Sequence, residues 1–136
     1  MCHNSYMNTP PSKYPNTFYR VSIKAIIRNG KNEVLVIKEH QDKWELPGGG
    51  LDHGEAPHDC LRREFAEELG ITNEFTETFQ KIETQYMASR PDKELDFWKM
   101  SIYYDVKIIG DLVLASNNDI SAVAFMPDAV LGELYG

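Results

Sequence analysis

Seven residues near the middle of this chain have the types and spacing to hold a divalent cation against a phosphate chain: Gly49, Glu55, Arg63, Glu64, Glu67, Glu68 and Gly70. On a helix each residue turns about 100°, so with Glu64 at zero Glu68 falls near ~40° and Glu67 near ~−60°. Three carboxylates then share one arc about 100° wide, an arrangement that repels itself unless a cation or a solvent-filled cleft compensates. Magnesium and manganese accept such hard oxygen ligands, together with backbone carbonyls and substrate phosphates. A cation held there would polarise a phosphoryl oxygen, acidify water and neutralise the leaving phosphate or pyrophosphate. An isolated EFAEE segment would be a solvated acidic face with ordinary ion pairs from Arg62 and Arg63. The seven-position frame and the glycines before it set this segment apart.

Gly48-Gly49-Gly50 follows a strand-like piece. Glycine lets a backbone approach closely and turn a carbonyl toward a metal, although a lone triplet would be a plain tight turn. Arg63 is placed to bridge the helix to Glu55 and so hold the loop against it. His53, His58 and Cys60 match no common zinc spacing. Trp44, Tyr86, Phe97, Trp98 and Tyr103 could form a stacking wall for a base, but a strand aromatic is more often core. Trp44 and Tyr86 are the substrate-binding candidates.

The elements that must position these groups follow from pattern. The β-rich run Phe18 to Ile27 and the run Glu33 to Lys38 flank Arg28 to Asn32, whose Asn-Gly pair is a hairpin signal. Trp44-Glu45-Leu46 is a short strand that Pro47 and the glycines stop. A helix is expected over Pro57 to Leu69, opened by proline and closed by Gly70, with Leu61, Phe65 and Leu69 facing the core. Cys60 within it reads as a small buried hydrophobe. Strands are expected over Thr78 to Met87 and Phe97 to Ile109, with a polar loop between, and over Ala122 to Met126. Gly110 to Ile120 reads as irregular, and Pro127 to Leu134 as a terminal helix. Residues 1–16, with three prolines, read as a mobile arm, and 17–136 as one mixed α/β domain.

The frame from Gly49 to Ile71 resembles the Nudix box, the defining motif of the Nudix hydrolase family. WELPGG at Trp44 to Gly49 is similar to the strand and turn that lead into the box, and DISAVAF at Asp119 to Phe125 to the family's last strand. The likeness spans about Phe18 to Leu134. It implies an α/β/α sandwich around a mixed β-sheet and hydrolysis of a nucleoside diphosphate linked to another moiety. It further implies Mg2+ or Mn2+ bound by Glu64, Glu67 and Glu68 with the carbonyl of Gly48 or Gly49. The water-activating base is expected to be Glu64, then Asp119, then Asp92, Glu94 or Asp96. Phe65 stands where the family has an aliphatic residue. Ala122 replaces a commonly acidic position, and Phe125 a tryptophan.

Composition bounds the rest. A formal charge of −7 argues against a nucleic-acid polymer as partner, while a local cation can still admit a small phosphorylated substrate. Two cysteines build no disulfide framework, and no apolar run reaches the ~20 residues of a membrane span. A cytoplasmic protein without a membrane partner is the default, and strand edges and the proline-rich arm permit a homodimer without requiring one. A non-catalytic nucleotide-sensing module on the same scaffold is the alternative, typically marked by losses in the box. Isomerase chemistry on an isoprenoid diphosphate fits less well, for want of chain length and a catalytic cysteine with a partner acid.

Overall fold

A computed structural model describes residues 19–39, 43–87, 97–115 and 120–134. Asp92, Glu94, Asp96 and Asp119, the arm of residues 1–16 and the loop of residues 88–96 lie outside the described residues. Strands β1 (Tyr19–Ile27), β2 (Val34–Lys38), β3 (Trp44–Glu45) and β4 (Gly48–Gly50) precede helix α1 (Pro57–Leu69). Strands β5 (Phe75–Met87), β6 (Phe97–Ile108) and β7 (Ala122–Met126) follow, then a 3-10 turn at Asp128–Val130 and a short helix α2 (Leu131–Leu134).

Two sheets form. One is mixed, in the order β4-β1-β6-β5, with β1 and β6 parallel and the other pairs antiparallel. The other is antiparallel, in the order β3-β2-β7. Side chains alternate across a strand, and the apolar residues divide accordingly. Ile23, Ala25 and Ile27 of β1 and Leu35 and Ile37 of β2 pack with Leu61, Phe65 and Leu69 of α1. Ile26, Val34 and Val36 point the other way and pack with Leu131 of α2. The result is an α/β/α sandwich with a helix on each side of the strands. No helix among the described residues is long and apolar enough to cross a membrane.

Helix α1 has the expected bounds because both ends are chemically marked. Pro57 occupies the first turn, and Gly70 takes the left-handed conformation at φ 67°, its N–H donating to the carbonyl of Phe65. Several expectations need correction. The glycines do not stop a strand: Gly48–Gly50 is itself β4, paired antiparallel to β1 with Gly48 opposite Lys24. Its missing Cβ is the reason, since a Cβ at Gly48 would lie 2.0 Å from the carbonyl oxygen of Ile23. Strand β3 ends at Glu45, and β5 starts at Phe75, three residues early, because buried Phe75 packs against Phe65. Strand β6 ends at Ile108, one residue early. The terminal helix is broken into the 3-10 turn and one short α-helical turn. Residues Arg28 to Asn32 do turn the chain, with the Asn29 side chain accepting from the N–H groups of Lys31 and Glu33. The strands they join meet in a single bridge, Arg28 to Val34, and then diverge into separate sheets.

Candidate active site

The site lies where the acidic face of α1 meets β4. Leu61, Phe65 and Leu69 are fully buried on one side of the helix and fix its rotation, so Glu64 and Glu68 are turned onto the glycine strand. A Cβ on Gly49 would fall 2.6 Å from a carboxylate oxygen of Glu64, so only glycine leaves room for that side chain. One residue earlier, the N–H of Gly48 donates to Glu68 Oε1 at 2.9 Å. Gly48 has φ 129°, a conformation natural to glycine, and it aims that N–H at the helix.

Arg63 ties the assembly together. Its Nε and Nη2 donate to the two oxygens of Glu55 at 3.0 and 2.9 Å, a bidentate pair. Nη2 also donates to the carbonyl of Gly50, and Nη1 to Glu64 Oε1 at 2.8 Å. The bridge expected from sequence is therefore present, and it reaches Glu64 as well. The Arg63 guanidinium, helped by the Asp52 N–H, holds the Glu55 carboxyl down to about 2. Hydrogen bonding to Glu55 likewise pushes Arg63 further above its usual range. Cys60, buried under the loop, faces the carbonyls of Gly49 and Gly50 at 3.7 and 3.6 Å, and burial pushes its thiol up to about 12. That environment suits packing rather than nucleophilic chemistry.

The acids respond to their burial. Glu64 is raised above the ordinary carboxylate value, chiefly by burial and against the opposing pull of Arg63. Glu68 is pushed up to about 9, first by burial and then by a hydrogen bond with the side chain of Glu39. Glu67 is the most exposed of the three, with 58% of its side chain accessible and its carboxylate 3.8 Å from Arg63 Nη1. Among the described residues no three acidic, histidine or cysteine side chains yet converge on one point as a metal cage. Arg63, Gly48 and Glu39 engage the oxygens a cation would claim. The donor set nonetheless fits a hard divalent ion: neighbouring carboxylates, two of them resisting ionisation because they are buried, beside a glycine strand whose missing Cβ atoms let Glu64 lie against it.

The other candidates are placed as follows. Trp44 lines a cleft between the sheets, with Lys38 Nζ over its ring at 4.7 Å. Tyr86 is not among the described residues that line that cleft; its ring lies against Trp98, which also stacks on Tyr19. His58 pairs with Glu77 at 2.7 Å and stacks on Phe75, while His53 is exposed. Sequence reasoning missed Glu39, which follows the last residue of β2 and reaches Glu68 through the fold. It also missed Lys24, whose ammonium lies in the field of both Glu64 and Glu68. Lys24 lies on the face of β1 opposite Ile23 and Ala25, as does Arg20.

The helix presents its carboxylates to a glycine strand inside an α/β/α sandwich. The family follows directly. The NUDIX domain model matches residues 18–134, and the chain belongs to that family. It is 39% identical over 75 residues to an RNA pyrophosphohydrolase of Ruthia magnifica subsp. Calyptogena magnifica, a match covering 54% of this chain and 42% of that protein. It is 36% identical over 78 residues to an 8-oxo-dGTP diphosphatase of Escherichia coli, covering 54% of this chain and 57% of the relative. The chain thus spans about half the length of these curated relatives. Among solved structures, the E. coli dihydroneopterin triphosphate pyrophosphohydrolase superposes with a TM-score of 0.64 at 16% identity, covering 86% of this chain and 88% of that one. At that identity the likeness concerns the fold.

Proposed function

We propose that this chain is a divalent-metal-dependent pyrophosphohydrolase that cleaves a phosphoanhydride bond in a nucleoside diphosphate linked to another moiety, such as a nucleoside triphosphate. The observation that carries this reading is the fit of Glu64 and Glu68 against Gly49 and Gly48, with Arg63 clamping the loop through Glu55. The similarity to an RNA pyrophosphohydrolase and to an 8-oxo-dGTP diphosphatase supports it.

Glu64, Glu67 and Glu68, with the carbonyl of Gly48 or Gly49, would hold Mg2+ or Mn2+. Bound there, the ion supplies Lewis acidity to a phosphoryl oxygen and to water. The chain's own residues do the remaining work. Glu64 is the foremost base for the attacking water, its carboxylate set against Gly49 and held by Arg63. Arg63 keeps that carboxylate oriented through its 2.8 Å hydrogen bond and, by binding Glu55, keeps the 49–55 loop from drifting off the helix. Asp119, outside the described residues, is the next candidate for base. Trp44 offers its ring to the base of the nucleotide.

The test is release of phosphate or pyrophosphate from a nucleotide panel with and without magnesium. Glu67→Gln and Glu68→Gln are each expected to lower turnover by two or more orders of magnitude, about 3 kcal/mol or more of transition-state stabilisation, with far-UV circular dichroism unchanged. Turnover at the parent rate in both variants would refute the assignment.

A further inference from the structure

The face of the mixed sheet that carries α1 is only partly covered by it. Helix α1 meets β5 at the start of that strand. Phe65 packs edge-on against Phe75, His58 stacks on Phe75 and pairs with Glu77, and the Arg62 guanidinium lies over the Phe75 ring. Further along, the same face exposes large apolar side chains. Phe79, Ile82 and Tyr86 of β5, Trp98 of β6 and Tyr19 of β1 are each between 37% and 55% exposed. Strand register gathers them: Tyr19 is opposite Trp98 and Trp98 opposite Tyr86, while Ile82 is opposite Ile102 and Phe79 opposite Tyr104. The rings adjoin as well. The Trp98 ring centre lies 5.6 Å from that of Tyr86 and 6.3 Å from that of Tyr19, and Phe79 lies 6.2 Å from Tyr104.

The backbone itself sorts these residues onto one side. Phe79 and Ile82 are three positions apart, so strict alternation would send them to opposite faces. The register of β5 against β6 shifts between Phe79 and Lys81, and that irregularity returns Ile82 and Tyr86 to the side of Phe79. From the row Tyr19, Trp98, Tyr86 to the row Ala25, Tyr104, Phe79, no position of the three strands on this face carries a charge. Aromatic side chains bury about 150–250 Å2 each when fully covered, so four rings and Ile82, each about half exposed, leave on the order of 500 Å2 of apolar surface. A patch of that size on one face marks an interaction surface rather than scattered exposure.

Charge decides the occupant. The chain has a formal charge of −7, so two copies repel wherever their acidic surfaces meet. An uncharged apolar face is where a two-fold axis can set one patch against its own copy without that cost. A nucleic acid or another polyanion calls for cations, and a basic partner for carboxylates; this face offers neither. We propose that two copies of this chain pack through this sheet face as a symmetric dimer, with Ile82, Tyr86 and Trp98 in the contact. Together they bury roughly 1,000 Å2 of apolar surface before any polar rim is counted, close to the ~1,200 Å2 at which stable interfaces begin. The pairing uses the face of the sheet and leaves the strand edges aside. The dimer does not depend on the hydrolase reading, because none of these side chains belongs to the acidic site.

Sedimentation equilibrium of the full chain over a wide range of concentration tests this, together with tryptophan emission. The parent is expected to form dimers, and its emission to shift to the blue with rising concentration as Trp98 leaves water. Phe79→Glu and Ile82→Glu each place a charge on the face, and each is expected to weaken self-association at least about tenfold and to abolish the shift. Thr76→Glu puts the same charge on the opposite face of β5, at an exposed position, and is expected to keep the dimer of the parent. Melting temperatures confirm that each variant is folded, and if Phe79→Glu is not, Ile82→Glu decides. A parent that stays monomeric at every concentration overturns the dimer. A dimer that survives both charges on the face overturns this interface and moves the contact to the outer edge of β5 or elsewhere. Equal weakening by Thr76→Glu overturns it too, since the effect would then be repulsion at large. Dimers that form without the blue shift overturn the place of Trp98 in the contact.

Discussion

On the proposed function, Glu68 should couple proton binding to metal binding. Its carboxyl, buried and sharing a hydrogen bond with Glu39, keeps its proton up to about pH 9, whereas in the unfolded chain it ionises near the ordinary value of 4.5. Between those limits the folded state binds the extra proton, so stability of the metal-free protein should decline as pH rises from about 5 to about 9. A cation bound to the same oxygens takes the proton's place. Magnesium binding near pH ~7 should therefore release protons, and its apparent affinity should strengthen with pH. Thermal melts across that range in chelator, and calorimetry in two buffers of different ionisation enthalpy, measure both effects. Glu68→Gln should flatten the melting profile. A flat profile in the parent protein, with no proton released on adding magnesium, rules out the coupling.

The element that most repays study is β4, because its glycines act differently at adjacent positions. At Gly48 an added Cβ would meet backbone, 2.0 Å from the Ile23 carbonyl, at a φ of 129° that other residues rarely adopt. Gly48→Ala should cost at least about 2 kcal/mol of stability, read by urea denaturation. At Gly49 the obstruction is only the end of the Glu64 side chain, which can swing away. Gly49→Ala should thus keep most of the stability yet lose turnover, because the displaced carboxylate can no longer serve the site. Similar stability losses in both variants, or full activity in Gly49→Ala, would contradict this division. Sequence spacing revealed the helix and its carboxylates because their relations are local: Pro57 and Gly70 mark the ends, and apolar residues every fourth position set the face. The role of β4 as a strand was hidden, since three glycines carry no alternation to read. Glu39 with Glu68 was hidden for a different reason. That pair is joined by packing between segments far apart in the chain, and residue spacing holds no record of it.

At the scale of the whole molecule, the site depends on two cores that share the same strands. Phe65 sits fully buried between α1 and the sheets, and its packing sets the rotation that carries Glu64 and Glu68. Ile26, on the opposite side of β1, belongs to the core beneath α2 and beside Trp44. Because β1 and β2 each send alternate residues into both cores, neither layer can melt while the other keeps its strands. Phe65→Ala should cost about 3–5 kcal/mol and Ile26→Ala about 2–5 kcal/mol, each shifting one cooperative transition. Tryptophan fluorescence, which includes Trp44 near the second core, and far-UV circular dichroism should trace the same denaturation midpoint in every variant. A fluorescence transition that separates from the loss of secondary structure in Ile26→Ala would mean that the two layers unfold independently. The cleft and the acidic helix would then be carried by separable units rather than by one framework.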